Sequence, residues 1–385
     1  MMKRKMILIL SCLMIIAAVC LSACGKKEKD TSSTTGVKES DKYKIGISMP
    51  SESLERWNKD VSYLKEKFEK EGYEVEVTYA GNNVDRQNDD IRKMISDGAD
   101  ILVVASIDGE MLTDSLSEAK SKNIPVIAYD RLIMNTDAVS YYVSFDNYEV
   151  GKLQAEYIVN ALKLNDPGDK TYNMEIFAGD SNDNNAKFFY NGSMDVLNKY
   201  INSGKIKVVS GQTEFETVAT AQWSTNEAME RMKNILVSYY SDGTKLNACL
   251  CANDAVALGI TRAIQSYYKN NNVPVITGQD ADSVNVSNII HDKQSMTVYK
   301  EFSNEAVVTY ELVKSLLEDN TTPESLCESL ECKCSYDIST YDNGTGVIPS
   351  FLLKPEVITK DNYKEKLIDT GYYKIGDNGY IEPAQ

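Results

Sequence analysis

One histidine, His291 in the stretch NIIHDKQS, is the whole imidazole supply of this 385-residue chain. That scarcity argues against a Ser-His-Asp triad or a site built on several histidines, and His291 reads as a surface residue. No G-x-x-x-x-G-K-[ST] phosphate loop occurs, nor any G-x-G-x-x-G after a strand. ATP hydrolysis by the usual route and ordinary dinucleotide binding are therefore not expected. The run DSNDNN alternates oxygen ligands at Asp180, Asn182 and Asn184. A calcium loop needs glycine at its sixth position and glutamate at its twelfth, where this chain has Asn185 and Asn191. Carboxylates are plentiful, but sequence places no pair of them at glycosidase separation. With no identifiable nucleophile or base, the expectation is a protein that is not an enzyme, with no cofactor and no metal.

Basic residues are also in the minority, 41 against 57 acidic ones, for a formal net charge of −16. Such a surface repels nucleic acid and anionic headgroups, so neither is expected as a partner. At this length, with 42% hydrophobic residues, the chain can bury a real core and suggests two domains. It starts with Lys3, Arg4 and Lys5, then the apolar run MILILSCLMIIAAVC, then LSAC at 21–24. The run is too short for a comfortable membrane span and leads through small residues into a cysteine, which reads as an export signal. LSAC resembles the lipobox of bacterial lipoproteins. That resemblance implies a signal peptide over 1–23, a lipid on Cys24, and a protein held on the outer face of the cell membrane. Residues 24–42, GKKEKDTSSTTGVKESDK after the cysteine, read as a flexible tether. Beyond Cys24 the mature chain would keep Cys249, Cys251, Cys327, Cys332 and Cys334. The cluster CESLECKC could hold a disulfide with one thiol left over. Zinc is the weaker alternative, because no fourth ligand is near. Cys249 and Cys251 lie in an apolar strand pattern and read as packing residues.

From residue 43 onward a β-rich run, a polar corner and an amphipathic helix repeat. The strand segments are YKIGIS, YEVEVTYA, DILVVAS, IPVIAYD, SYYVSFD, NMEIFAGD, IKVVSGQ, NACLCAND, VPVITGQD and MTVYK. Leu54, Trp57, Val61, Leu64 and Phe68 make one helical stripe, closed by Gly72. Gly179, Gly211 and Gly278 fall at strand ends, where sharp turns are expected. The alternation predicts an α/β fold of parallel sheets covered by helices on both faces. So many strands suggest two similar lobes, with a break near Asp146. Ligands of open α/β sheets bind at the carboxyl ends of strands. Those ends carry Asp130-Arg131, Asp183 to Asn185, Asn253-Asp254, Gln279-Asp280 and Lys300. An anion site would favour cations and a metal site carboxylates, whereas this mixture suits a neutral ligand with many hydroxyls. A monosaccharide fits, and its apolar C–H faces can lie on Trp57 and Trp223, the only tryptophans in the chain. Two alternatives stay open at this point: that Trp57 serves only its helix stripe, and that the strand-end polar residues are helix caps.

The chain resembles the sugar-binding proteins of bacterial ABC importers, the type I periplasmic binding proteins, and in particular their xylose and multiple-monosaccharide binders. The residues that carry the resemblance are LERWNKD, IPVIAYDRLI, VSFDNYEVGKLQA, DNNAKFFYNGSMDVL, SGKIKVVSGQT, GQDAD, MTVYK and PSFLLKPEVITKDNYKEKLIDTGYYK, in family order. The resemblance implies two Rossmann-like, doubly wound lobes joined by a three-crossover hinge. The expected division is 43–145 with 281–345 for the N-terminal lobe and 146–280 with 346–385 for the C-terminal lobe. It further implies that Trp57 and Trp223 stack on the sugar while Arg56, Asp130, Arg131, Asp183, Asn185, Asn253, Asp280 and Lys300 bond its hydroxyls and ring oxygen. The implied partners are a monosaccharide, an ABC permease with its separate ATPase, and the membrane through the lipid on Cys24. The protein is expected to act as a monomer. A sugar sensor that reports occupancy to a membrane histidine kinase or chemoreceptor is the rival use of the same binding. CANDAVALG is similar to the xylose branch, and GQTEFETVATAQW to the multiple-sugar branch, so the preferred sugar stays open. The segment TTPESLCESLECKCSYDIST has no recognised counterpart.

Overall fold

The computed structural model describes residues 43–53, 55–319, 322–332 and 334–384. The expected signal peptide, Cys24, the tether and Leu54 lie outside the described residues. Short β-branched and aromatic runs form strands, and the amphipathic segments between them form helices that cover the sheets. The chain begins with β1 (Lys44–Met49), α1 (Glu55–Lys70), β2 (Glu74–Tyr79), α2 (Val84–Ser96), β3 (Ile101–Val104), α3 (Thr113–Ser121), β4 (Val126–Tyr129) and β5 (Val139–Phe145). It continues through α4 (Asn147–Ala161), β6 (Tyr172–Phe177), α5 (Asn184–Asn202), β7 (Ile206–Val208), α6 (Phe215–Val218), α7 (Thr225–Tyr239), β8 (Ala248–Cys251), α8 (Asp254–Tyr267), β9 (Val275–Ile276), α9 (Ser283–Ile290) and β10 (Thr297–Tyr299). The last part holds α10 (Phe302–Lys314), α11 (Pro323–Ser329), β11 (Cys334–Asp337), β12 (Ser350–Leu353), β13 (Glu356–Ile358), β14 (Tyr373–Ile375) and β15 (Ile381–Pro383). Every strand segment expected from the sequence contains a strand.

The first sheet runs β11-β12-β5-β4-β3-β1-β2, parallel throughout except for the edge strand β11. The second runs β7-β6-β8-β9, all parallel, and a parallel bridge from Gln279 to Val298 attaches β10 beyond β9. In each sheet the order reverses beside the first strand of its lobe, β1 in one and β6 in the other. That reversal opens a crevice at the carboxyl ends of the strands. β3, β4 and β8 are buried along their whole length, as strands covered by helices on both faces must be.

The chain passes between the sheets three times. Asp146 follows β5 and caps α4, the chain returns between β10 and α10, and it crosses again between β12 and β13. The lobe boundaries expected from the sequence do not follow these sheets. Residues 281–299 stay with the second lobe, because Val298 bridges Gln279 and β10 pairs antiparallel with β13. Ser350–Leu353 belongs to the first, because β12 is the parallel neighbour of β5.

Cys327 and Cys334 form a disulfide between α11 and β11, while Cys332 keeps a half-buried thiol. Cys249 and Cys251 are fully buried in β8, and burial pushes both thiols well above their ordinary range. Helices α4 and α5 meet through glycines. A Cβ on Gly151 would lie 1.8 Å from the Phe189 carbonyl oxygen, and one on Gly192 would lie 2.1 Å from that of Tyr148. The Ser193 hydroxyl donates to the Gly151 carbonyl at 2.8 Å across the same contact. Gly151→Ala is therefore expected to destabilise the protein by about 1–3 kcal/mol through overpacking. Thermal unfolding measures this, and an unchanged melting temperature would contradict the close approach.

Candidate ligand-binding cleft

Between the lobes lies a cavity of about 280 Å³. Its walls come from the corner after β1 (Arg56, Trp57) and from β4 (Asp130, Arg131) on one side. On the other side stand β6 and α5 (Asp183, Asn185), the turn before α7 (Trp223), β8 (Asn253), β9 (Asp280) and β10 (Lys300). The structure thus brings all the expected binding residues to one cavity. Sequence reasoning did not single out Asn82, Asp108, Gln222 or Phe189, which also line it, and it weighed Asp180 and Asn182, also in the wall, only as calcium ligands. Most of these sit in loops whose composition carries no periodic signal, and Phe189 looked like one more apolar position of a helix.

The two indoles reach the cavity in different ways. Trp57 is 1% exposed and belongs both to the core stripe of α1 and to the cavity wall, so the two readings of its role coexist. Trp223 is half-buried and follows Gln222 in a short turn where both residues are left-handed, at φ 54° each. Its ring meets Phe189 edge-on at 6.2 Å and lies on Gly179. A Cβ at Gly179 would come within 1.9 Å of the indole, so that glycine makes room for a ring rather than for a turn. Neither indole N–H has a hydrogen-bond partner among the described residues, and neither does the Gln279 side-chain oxygen.

Charge is concentrated behind these rings. Arg56 packs its guanidinium over Phe302 at 3.9 Å and over Trp57 at 4.2 Å. Its Nη2 lies 3.0 Å from Asp130, 3.3 Å from Glu305 and 3.6 Å from Asp60. Lys300 stands 3.7 Å from Asp130 and 3.4 Å from Asp280, joining carboxylates of the two lobes. Arg131 pairs with Asp183 across the lobes at 3.2 Å. Asp60 and Glu305 were not anticipated. For Asp60 the one signal was its i,i+4 spacing from Arg56 on the helix that carries the apolar stripe.

Burial pushes the Asp130 carboxyl up, but Arg56, Lys300 and Arg131 overcome it and hold the group below the usual carboxylate range. Burial opposes the charge on Arg56, and Asp130, Asp60 and Glu305 hold it firmly protonated. Glu305 is pushed well up by burial and by Asp130. Asp183 is raised by burial despite Arg131.

The strand-end residues cap helices and also line the cavity, because each side chain divides its atoms. Asp183 Oδ1 accepts from the Asn185 N–H at 3.0 Å to cap α5, and its Oδ2 meets Arg131. Asn253 Oδ1 caps α8 by accepting from the Val256 N–H at 3.0 Å, while its amide faces Asp280 at 3.5 Å. Asn185 is more committed: it donates to the Asp130 carbonyl at 2.6 Å and accepts from the Tyr142 hydroxyl at 3.0 Å. Within the DSNDNN stretch it is Asp183 that caps α5. Among the described residues no cluster of His, Cys, Asp and Glu is arranged to hold a metal ion. No helix among them is long and apolar enough to cross a membrane.

Two lobes of parallel sheet with a polar, indole-lined cavity between them define a class of hinged solute receptors. The profile of the periplasmic binding protein domain matches residues 45–321, and the chain belongs to that family. It is 39% identical over 336 residues to the multiple sugar-binding periplasmic protein SbpA of Azospirillum brasilense, covering 86% of this chain and 90% of that one. It is 35% identical to the D-xylose-binding periplasmic protein of Escherichia coli K12, over 86% of this chain and 91% of that one. An ABC transporter solute-binding protein of Clostridium phytofermentans, solved with β-D-glucose bound, is 46% identical with a TM-score of 0.81. That match covers 87% of this chain and 99% of the other.

The Asp60 carboxyl is pushed from 3.8 up to about 7, chiefly by burial and against the opposing pull of Arg56. A carboxyl that holds its proton more tightly when folded adds stability that is complete below the unfolded value. That stability is lost as pH rises through the folded value. Asp60→Asn should therefore flatten the fall in melting temperature between roughly pH 4 and 7. Thermal melts across that range measure it, and a parallel fall in wild type and variant would refute the assignment.

Proposed function

We propose that the chain is an extracytoplasmic monosaccharide-binding protein that delivers a glucose- or xylose-type sugar to an ABC permease by closing its two lobes. The permease's separate ATPase supplies the energy. In this reading the protein works as a monomer, held to the outer face of the membrane by a lipid on Cys24 at the end of the 24–42 tether. The observation that carries the sugar assignment is that tryptophans from opposite lobes line one cavity whose other walls mix carboxylates, amides, arginines and a lysine. A pyranose has apolar faces for the indoles and hydroxyls that donate and accept, so it uses both kinds of wall. Hydrogen bonds to charged groups contribute about 1.5–3 kcal/mol each. Several of them, less the cost of ordering, match micromolar or tighter binding, about −8 kcal/mol. Contacts to both lobes favour the closed arrangement by no more than the sugar's differential affinity for it.

A thermal-shift screen of pentoses and hexoses is expected to show a dose-dependent rise in melting temperature for at least one sugar. A flat response to every sugar overturns the proposal. Trp57 is too deeply buried for truncation to report on binding alone, so Trp223 is the cleaner probe. Trp223→Ala should weaken sugar binding by about 2 kcal/mol or more, as loss of a central aromatic contact does, with a small change in ligand-free melting temperature. Wild-type affinity in that variant would reduce the ring to a packing group.

A further inference from the structure

We infer that Asp254, a carboxylate buried beneath the cleft, is the positioning residue that sets Asp280 against the ligand. It presupposes that the cleft holds a sugar. Asp254 is the first residue of α8, fully buried, and it does not line the cavity. Its Oδ1 accepts from the Gln294 amide at 2.8 Å. Its Oδ2 accepts from the Asp282 N–H at 2.9 Å and from the Thr297 hydroxyl at 3.0 Å. The Thr297 oxygen in turn accepts from the Ala281 N–H at 3.2 Å. The two peptide groups that follow Asp280 are thus held, one directly and one through Thr297, by a single buried carboxylate.

They need holding. Asp280 has φ 95° and Ala281 φ 52°, two consecutive left-handed residues of which neither is glycine. Side chains with a Cβ leave that region unless their surroundings over-determine it. The space for the carboxylate is itself specific. A Cβ on Gly278 would lie 2.0 Å from Asp254 Oδ1 and 2.5 Å from the Gln294 nitrogen. Asn285 closes the network by donating to the Asp254 carbonyl at 2.9 Å and to the Gln294 oxygen at 2.7 Å. The outcome is the placement of the Asp280 carboxylate 3.4 Å from Lys300 and 3.5 Å from the Asn253 amide, at the cavity wall. If Ala281 relaxed to an ordinary φ, the peptide following Asp280 would turn and that carboxylate would swing away from Lys300.

The test is a double-mutant cycle read by titration calorimetry with D-glucose and D-xylose. Asp254→Asn keeps the shape but sets an amide N–H against groups that donate, and should weaken binding of the preferred sugar about tenfold or more. In an Asp280→Ala background the same change should alter affinity by less than about twofold, because residues acting through one another are not additive. Combined with Trp223→Ala, it should instead add its full effect. Equal losses in the wild-type and Asp280→Ala backgrounds, or no loss in either, overturn the role of Asp254. Thr297→Val, which removes the hydroxyl between Asp254 and Ala281 at similar volume, must show the same pattern and serves if Asp254→Asn fails to fold. A wild-type chain that binds no sugar counts against the sugar reading, whereas wild-type binding with additive losses counts against Asp254 alone.

Discussion

Asp130 is a carboxylate that the fold buries and that neighbouring cations keep charged, and the cleft is organised around it. It is 4% exposed and left-handed at φ 59°. Its carbonyl oxygen accepts from Ser144 at 2.9 Å and from Asn185 at 2.6 Å, so the strained backbone is held from both lobes. Its carboxylate meets Arg56 and Lys300. A buried ion pair gains little net stability, because desolvation offsets most of its attraction. Removing one partner is a different matter, since the other charge is left buried and uncompensated. The network therefore fixes geometry more than it stabilises the fold, and a polar ligand needs that fixed geometry.

The same economy of groups recurs around the cavity. Helix N-termini need acceptors for their first N–H groups, and the cleft is where several helices begin. Asp183 and Asn253 meet that need with one oxygen and leave the other side-chain atom for the site. Fold and site thus draw on the same residues. Anions also bind at helix N-termini, but carboxylates occupy the cleft ends of these helices and shift preference toward a neutral ligand.

Much of this was legible in the sequence. Period-2 and period-3.6 runs located the strands and the break at Asp146, and polar residues recurring at strand ends located the cleft. Those signals are local. What escaped depends on contacts far apart along the chain. Glu305 lies in α10 and reaches Arg56 in α1, at a separation no periodicity encodes. Gly179 and Gly278 looked like turn residues, yet neither has a positive φ. One accommodates an indole from another loop and the other a carboxylate from the first turn of α8. The lobe boundaries failed for the same reason. A short strand such as Thr297–Tyr299 carries no mark of which sheet it joins, and only the bridge to Gln279 decides it.

Lys300 shows how the hinge and the cleft are joined. It follows β10 at the second passage between lobes, and Phe302 and Glu305 come next in the first turn of α10. Phe302 and Glu305 both support Arg56, and Lys300 pairs with Asp130 from one lobe and Asp280 from the other. A ligand that drew Asp280 or Asp130 toward itself would therefore pull on the connecting segment directly. Further pairs also span the lobes. Arg131 meets Asp183, and Lys59 in α1 lies 4.5 Å from the ring centre of Tyr372 in the second lobe. These contacts supply part of the free energy that favours the arrangement seen here, and the differential affinity asked of a bound sugar is smaller by that amount.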